Sequence, residues 1–264
     1  MSDSKKRMRL SQAIPLIHVQ ACMKLKSQAN TLVFSYLWWV LEPLLFVLLF
    51  YFVFKHVLNR GGDDYFLFLM MGKIPFLWFS KAVNSGAMSI QQNKGLISQR
   101  VIPKVIFPLV NCQEALYKQA FAFSILIVFL VANGHHDVLN WWQAIPLIIL
   151  QYLLIAGVAV LFSCFATFAR DFTVVIGMFM MCLMFTSGIF WDVNTIQDPA
   201  LRDLLLMINP LAAIIDGYRK VFMYQELLNL KYMLCVLAWS ITTFGVGYWA
   251  LNRYSNTLTR RLFA

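Results

Sequence analysis

Long apolar stretches follow one another along most of the chain, with short polar segments between them. A helix that crosses the hydrocarbon core of a bilayer needs about 20 mostly apolar residues. Only residues 169–171 separate the fourth stretch from the fifth, so these two are expected to form a tight helical hairpin. The pattern predicts an all-α integral membrane protein with six transmembrane helices, at residues 32–54, 65–87, 105–132, 141–168, 172–190 and 230–249.

Two further segments show helical periodicity without the length of a span. From Leu10 to about Asn30, within the N-terminal segment 1–31, apolar side chains recur at intervals of three or four, which predicts an amphipathic helix lying flat in the membrane interface. A helix packed on a partner protein would show the same pattern. In residues 191–229, Asn209 and Pro210 separate two short apolar pieces, which predicts an external, re-entrant-like helical hairpin between the fifth and sixth spans.

The distribution of charge predicts an orientation. If both termini lie in the cytoplasm, the inside segments hold 13 Lys and Arg against 2 acidic residues, and the outside segments hold 6 against 8. Because cytoplasmic loops carry an excess of Lys and Arg, this bias favours a multi-pass protein with both termini inside. The predicted divisions are a cytoplasmic N-terminus, a six-span domain and a basic cytoplasmic tail, at residues 1–31, 32–252 and 253–264.

Composition agrees with a membrane protein and narrows the chemistry. Of 264 residues, 60% are hydrophobic and 13% are charged, whereas a soluble domain is about 25% charged. The five cysteines stand apart without metal-ligand spacing and are interpreted as small apolar residues. Phosphate-binding loops, HExxH, GxSxG and paired carboxylates at catalytic spacing do not occur in the sequence. We therefore expect no catalytic residue, metal or cofactor on this chain.

Five charged residues fall within the predicted spans: Glu42, Lys73, Lys81, Glu114 and Lys118. A charge at the centre of a bilayer costs roughly 2.5–3.5 kcal/mol on insertion scales, so such side chains usually face protein or water. In one interpretation, Glu42 pairs with Lys81 and Glu114 with Lys118, which ties helices together. In the other, Lys73 or Lys81 lines a hydrated path for an anionic or polar substrate. The sequence leaves both open.

Several stretches, taken in order, resemble the membrane subunits of ABC-2 type exporters of cell-surface polysaccharides, which include O-antigen, capsular polysaccharide and teichoic acid exporters. The resemblance covers roughly residues 20–262. It departs at Lys73, where the family usually has an apolar residue, and at Glu42, which occurs in part of the family. The stretches that carry it are SYLWWVLEPLLFVLLFYFVF, MGKIPFLWFSKAVNSGAMSI, NKGLISQRVIPKVIFPL, FARDF, MFTSGIFWDVNTI and LLLMINPLAAIIDGYRKVF.

The resemblance implies a permease in the bacterial inner membrane that pairs with a second copy of itself and with two copies of a cytoplasmic ABC ATPase. ATP and Mg would bind to that separate subunit. The implied substrate is a lipid-linked polysaccharide, either the O-antigen of lipopolysaccharide or a capsule, and membrane lipids are further partners. Nucleic acid is not expected. The FARDF and hairpin segments favour O-antigen export, whereas the Glu-Pro pair of the first span favours capsule export.

The resemblance also implies roles for particular residues. It places an external gate at Asn209 and Pro210, and contacts with the ATPase at Gln91, Asn93, Lys94, Arg100, Arg170 and Asp171. Lys24 and Lys26 could hold a lipid phosphate, although the inside excess of positive charge also explains them. Aromatic rings offer flat faces to sugar C–H groups, although rings at a membrane interface need no such role. The candidates for the substrate path are Tyr36, Trp38, Trp39, Lys73, Trp78, Phe79, Lys81, Phe190 and Trp191.

Three other functions remain to be weighed. A permease of the same superfamily that exports a drug or small lipid would lack a wide aromatic-lined path. A membrane-embedded transferase would need clustered acids or histidines, which this sequence does not contain. An ion-coupled carrier would need charged sites at the midplane and inverted repeats, and no internal repeat is visible.

Overall fold

The computed structural model describes residues 10–31, 35–57, 64–99, 102–134, 138–169 and 171–263, and nearly all of these residues are helical. Short 3-10 turns lie at Val138–Gln143 and Val193–Thr195, and π-helical turns at Phe52–Val57 and Lys220–Tyr224. The helices are α1 (Leu10–Thr31), α2 (Ser35–Tyr51), α3 (Tyr65–Gln92), α4 (Lys94–Gln99), α5 (Ile106–Ala132), α6 (Ala144–Phe168), α7 (Phe172–Thr186), α8 (Pro199–Ile208), α9 (Pro210–Arg219), α10 (Leu230–Arg253) and α11 (Ser255–Phe263).

Four helices of the described part are long and apolar enough to cross a membrane. They are α3, α5, α6 with the turn before it, and α10. Two shorter apolar helices cover Leu44–Val57 and Phe172–Thr186, where the sequence predicts the first and fifth spans. Of the six predicted spans, four are therefore helices of spanning length in the described part of the chain, and two coincide with shorter apolar helices.

Helix α7 ends four residues before the apolar stretch does. Gly188 has a φ of +70°, in the left-handed region that favours glycine. A Cβ at this position would lie 2.9 Å from Cγ2 of Val193, so a larger residue would also be crowded. The chain therefore leaves the helix at Ser187 and runs as a turn to Trp191.

Helices α3 and α6 form the centre of the bundle. Most of α3 is buried, and α6 packs against both α3 and α10. The crossing of α6 and α10 is close because glycines face the opposite backbone. A Cβ at Gly157 of α6 would stand 2.8 Å from the Ser240 oxygen, and one at Gly247 of α10 would stand 2.7 Å from the Leu161 nitrogen. Small residues at a contact allow the backbones of two membrane helices to approach closely.

Helices α8 and α9 lie at one end of the bundle, called here the hairpin end. Asp198 accepts a hydrogen bond from Ala200 N and caps α8, and Asn209 accepts from Leu211 N and Ala212 N and caps α9. A proline follows each cap at the first helical position, where its missing N–H is harmless. The two helices differ in burial, since α9 is buried from Leu211 to Arg219 and Leu206 alone is buried in α8.

Helices α4 and α11 lie at the opposite end, called here the tail end. Helix α1 runs beside α5, where Ala21 packs against Ile106 and Val110. The helix predicted within residues 1–31 is therefore present and has one side on the bundle. Its other side exposes Ile14 and Met23, as expected for a helix with a second apolar surface to cover.

Candidate functional site

Four phenylalanine rings meet at the hairpin end and form what we call the Phe190 cluster: Phe50, Phe54, Phe185 and Phe190. The Phe190 ring lies 4.6 Å from Phe50 and 5.7 Å from Phe185, measured between ring centroids. Its plane is within 4° of the plane of Phe54, at 5.9 Å. The cluster joins α2 and the π-helical turn after it to the turn that follows α7. Of the substrate-path candidates, Phe190 and its neighbour Trp191 lie here.

The turn that carries Phe190 is held by hydrogen bonds of three side chains: Tyr65, Asn209 and, within the turn itself, Trp191. Tyr65 at the start of α3 donates to the Phe190 carbonyl at 3.2 Å, and Trp191 donates to the Phe185 carbonyl at 2.9 Å. Asn209 donates to Ser187 Oγ at 3.0 Å while its other amide atom caps α9. Backbone outside helices is tolerated at membrane depth only where its polar groups find such partners.

Arg219, at the end of α9, holds the same turn from the other side. It is 1% exposed, and its guanidinium donates to the Gly188 carbonyl at 2.6 Å and the Ile189 carbonyl at 2.9 Å. It also lies 3.4 Å above the Phe68 ring. A Cβ at Gly72 would stand 3.0 Å from Nη2 of Arg219, so the glycine provides the space. Both ends of α9 are thus bound to the turn after α7.

Lys73 is buried, with 4% of its surface exposed, next to the Phe190 cluster. Its ammonium lies 4.9 Å from the Phe46 ring, 5.5 Å from Phe50 and 5.4 Å from Phe76, and 3.3 Å from the sulfur of Met184. Within the described ranges, no carboxylate is paired with it. The arrangement is a positive charge enclosed by rings, one of which belongs to the cluster.

The other charges within spans form the two ion pairs proposed from the sequence. Lys81 of α3 pairs with Glu42 of α2, and Lys118 pairs with Glu114 one turn earlier on α5. The Lys81 and Glu42 side chains are 51% and 40% exposed. An exposed ion pair within apolar helices is costly against lipid, so this face suits water or another protein.

The remaining aromatic candidates for the path lie elsewhere. Trp78 and Phe79 are 3% exposed in the packed interior of α3, where Trp78 meets Phe123 of α5 edge-on. Trp38 is exposed near the start of α2, roughly 24 Å along the helix from Phe54 at 1.5 Å per residue. The side chains of Tyr36 and Trp39 lie outside the described part. The structure therefore brings Phe190 close to Lys73 through the Phe50 ring, whereas Trp38 and Trp78 lie elsewhere.

Of the residues assigned to ATPase contact, the four that the structure describes lie at the tail end: Gln91, Asn93, Lys94 and Asp171. Gln91 of α3 donates to the Ala166 carbonyl of α6, and Asn93 donates to the Ser89 carbonyl at 2.7 Å and ends α3. Lys94 begins α4, and exposed Asp171 precedes α7. Arg100 and Arg170 lie outside the described residues.

The two lysines of α1 differ in their surroundings. Lys24 donates to Asn111 Oδ1 of α5 at 2.5 Å, and Asn111 in turn donates to the Ser85 carbonyl of α3 at 2.6 Å. Partial burial lowers the pKa of Lys24, and the nearby Glu114 carboxylate opposes this shift. Lys26 is exposed. Lys24 therefore joins α1 to the bundle, whereas Lys26 makes the outer surface of α1 more basic.

Around the gate candidates Asn209 and Pro210, α8 is tied to α10. Asp203 of α8 accepts hydrogen bonds from Tyr232 at 2.6 Å and from Lys231 at 3.0 Å. These two bonds lower the pKa of the Asp203 carboxyl. The contact is half exposed, whereas α9 is buried, so α8 is the more lightly held of the two helices.

Sequence reasoning missed Arg219, Tyr65 and the partners of Phe190. The i, i+4 spacing of Phe50 and Phe54 could have indicated rings on one helix face. Arg219 ends the largely apolar stretch LAAIIDGYR, and an arginine in such a place signals a buried partner. Its partners are backbone carbonyls of a turn, which no sequence pattern displays.

Comparison with known proteins identifies the family of this chain and several relatives. Residues 19–223 match the ABC-2 type transporter family. The chain is 28% identical to the O-antigen export system permease protein RfbA of Klebsiella pneumoniae over 253 residues, covering 95% of this chain and 96% of that protein. It is 23% identical to the protein of the same name in Myxococcus xanthus, covering 83% and 84%. It is also 25% identical to the polysialic acid transport protein KpsM of Escherichia coli, covering 75% and 79%.

The family match spans most of the bundle, from α1 to the π-helical turn after α9. It therefore includes the Phe190 cluster, Lys73 and the Arg219 contacts described above. On this match over more than half of its length, the chain belongs to the ABC-2 type transporter family.

Proposed function

We propose that this protein is the transmembrane subunit of an ATP-driven exporter that moves a lipid-linked cell-surface polysaccharide across the bacterial inner membrane. The family assignment supports a permease, and relatives named for O-antigen export and polysialic acid transport support a glycan cargo. We favour O-antigen over capsule because the RfbA relatives match a larger share of the chain. The working unit would be two copies of this chain with two cytoplasmic ATPase subunits.

The observation that carries the proposal is the Phe190 cluster beside a buried cation. A polymer that slides through a protein needs contacts that are weak at each point and repeated along its length. Aromatic faces meet this need, because they cover sugar C–H groups without fixed hydrogen bonds. Lys73, enclosed by Phe46, Phe50 and Phe76, adds a positive charge that an acidic sugar or phosphate would meet at the same level.

The energy for movement would come from the partner, since the chain has no phosphate-binding loop. In this mechanism, nucleotide binding shifts α4, which is joined through Asn93 to α3. Helix α3 runs the length of the bundle and ends at Tyr65, which holds the Phe190 carbonyl. The hairpin of α8 and α9 would be the external gate. Both termini would lie in the cytoplasm, and α2 and α7 would complete six spans.

The exposed faces of α2 and α7 support pairing with a second copy. Both helices leave large apolar side chains uncovered, and Glu42 of α2 forms a half-exposed ion pair with Lys81 of α3. Lipid could cover the apolar residues but not the ion pair. A second copy, with a hydrated path between the two, would satisfy both.

Two alternatives differ in cargo or class. An exporter of a drug or small lipid would use the same family fold without needing the ring cluster. A membrane-embedded transferase would need grouped acids or histidines, and within the described ranges no group of three or more His, Cys, Asp or Glu side chains is placed to hold a metal. The cluster favours the glycan exporter.

The test is to delete this gene alone and find where the surface glycan is. We expect the polymer to disappear from the surface while lipid-linked polymer accumulates on the cytoplasmic side of the inner membrane. Surface labelling with a glycan-specific lectin or antibody, before and after permeabilisation, separates the two locations. The chemistry of the accumulated polymer then identifies the cargo.

A wild-type copy supplied on a plasmid is the control and should restore the surface polymer. If surface glycan is unchanged by the deletion, the polysaccharide proposal is wrong. If synthesis itself stops, with neither surface nor internal polymer, the transferase alternative is favoured instead.

A further inference from the structure

The last nine described residues form a packed helix, although the sequence predicts only a basic tail. Helix α11 turns Leu258 and Leu262 inward, where both are buried in one cluster with Ile90 of α3 and Phe107 of α5. Arg260 and Arg261 are exposed on its outer face. The helix therefore has a buried apolar side and an open basic side.

Three contacts fix α11 to the segments assigned to ATPase contact. Lys104, between α4 and α5, donates to the Ser255 carbonyl at 2.8 Å and to its hydroxyl at 2.7 Å. Lys94 of α4 lies 4.9 Å from the Phe263 ring. Arg261 lies 5.1 Å from the ring of Phe168, the last residue of α6. Helix α11 thus touches both α4 and the end of α6 before the short α6–α7 connection.

The apolar side of α11 shows whether this helix binds a membrane or packs on protein. An amphipathic helix that binds a membrane turns its apolar side toward the lipid. In α11 that side is covered by the protein's own helices, through Leu258 and Leu262. The basic side consequently faces away from the bundle, toward water or a protein below it.

The charges on this face are largely uncompensated. Arg260 has no ion-pair partner among the described residues, and Lys94 and Arg261 contact rings rather than carboxylates. In the described parts of α4, α11 and the α6–α7 connection, Asp171 is the one acidic residue. A partner seated here must therefore bring acidic side chains.

We propose that α11 is a third docking element for the cytoplasmic ATPase subunit, and that Arg260 contacts an acidic surface of that subunit. The inference rests on the proposed function, since it requires that partner. It adds a contact that the family resemblance did not assign, because the resemblance placed docking only at residues between Gln91 and Arg100 and at Arg170 and Asp171.

The experiment measures binding of the cognate ATPase subunit to the purified full-length permease, in a detergent free of anionic lipid. Arg260→Glu is compared with Arg253→Glu, which makes the same charge change at an exposed residue of α10. We expect Arg260→Glu to raise the Kd roughly fivefold or more, as for a charged contact at an interface rim. Arg253→Glu should stay within about twofold. The difference should shrink as salt is added.

The inference is overturned if the two variants bind equally, or if Arg260→Glu binds as the wild type does. It is also overturned if the Arg260→Glu effect occurs only in nanodiscs containing phosphatidylglycerol, which would make the arginine a lipid contact. Failure of the wild-type permease to bind any ATPase subunit would instead overturn the proposed function itself. Circular dichroism and thermal unfolding confirm that each variant is folded.

Discussion

At the scale of single residues, the buried charge of Lys73 is not explained by packing. Its three ring contacts each stabilise a cation by about 0.5–2 kcal/mol. Enclosing an ammonium away from water costs several kcal/mol, and a carboxylate partner is not found within the described ranges. Folding therefore gains little from this charge, which points to a role in transport.

Replacing Lys73 with methionine tests that role. Methionine is similar in length and packs well against Phe46, Phe76 and the sulfur of Met184. We expect Lys73→Met to leave the melting temperature in detergent unchanged or higher, because no carboxylate loses a partner. Export of the polymer, measured as surface glycan at equal protein abundance, should fall.

The matched control is Lys81→Met, eight residues further along α3, because that change leaves Glu42 without its partner. Its melting temperature should be lower than that of Lys73→Met. If Lys73→Met instead unfolds the protein, the lysine is a structural residue. If export is unchanged at equal abundance, the cation plays no part in transport.

Unlike Lys73, Arg219 has backbone carbonyl partners for its buried charge. Its place in the fold could not be predicted from the sequence. The pairs of Glu114 with Lys118 and Glu42 with Lys81 could be proposed from spacing and charge alone. Arg219 could not be placed, because it binds carbonyls that are free only since α7 ends early. Its contacts depend on a turn in another part of the chain.

At the scale of elements, α6 and α10 pack closely because a glycine of each helix faces the backbone of the other. A Cβ at Gly247 would lie 2.7 Å from the nitrogen and 2.8 Å from the Cα of Leu161. Both are backbone atoms of α6, so no side chain can rotate away to make room. Two residues earlier, a Cβ at Gly245 would have nothing within 4 Å.

These two glycines make a matched test of the packing. Alanine is favoured over glycine within a helix by about 0.8–1.0 kcal/mol, so Gly245→Ala should leave the melting temperature equal or higher. Gly247→Ala must push α6 and α10 apart, and overpacking costs about 1–3 kcal/mol. Its melting temperature should therefore be lower, as measured by thermal unfolding in detergent. Equal values for both variants would contradict the described contact.

The sequence predicts a helix well where the apolar run and the helix end together, and less well where a turn interrupts the run. Long apolar runs such as those of α5 and α10 gave starts and ends close to the observed Ile106–Ala132 and Leu230–Arg253. The end of α7 was placed late, because Ile189 and Phe190 continue the apolar run beyond the turn at Gly188. Helix α11 was not predicted, because its apolar side consists of few residues among arginines and polar side chains.

At the scale of the whole molecule, the two ends of the bundle differ in chemistry and are joined by α3. The tail end presents basic groups on α4 and α11, and the hairpin end presents rings and a buried cation. Helix α3 connects them from Gln92 to Tyr65, and most of its residues are buried. Because packed interiors resist deformation, a shift imposed near α4 would reach the Phe190 cluster as a movement of the whole helix.

The cluster itself can be tested with two phenylalanines of the same π-helical turn. Phe54 is parallel to Phe190 at 5.9 Å, whereas Phe52 is 60% exposed and faces away toward His56. Leucine keeps apolar volume in each place but removes the flat ring. If sugars slide along the cluster, Phe54→Leu should slow the appearance of surface polymer at equal protein abundance, and Phe52→Leu should not. If Phe54→Leu exports at the wild-type rate, the Phe54 ring only contributes packing. If both variants slow export to the same extent, the effect is not specific to the Phe190 cluster.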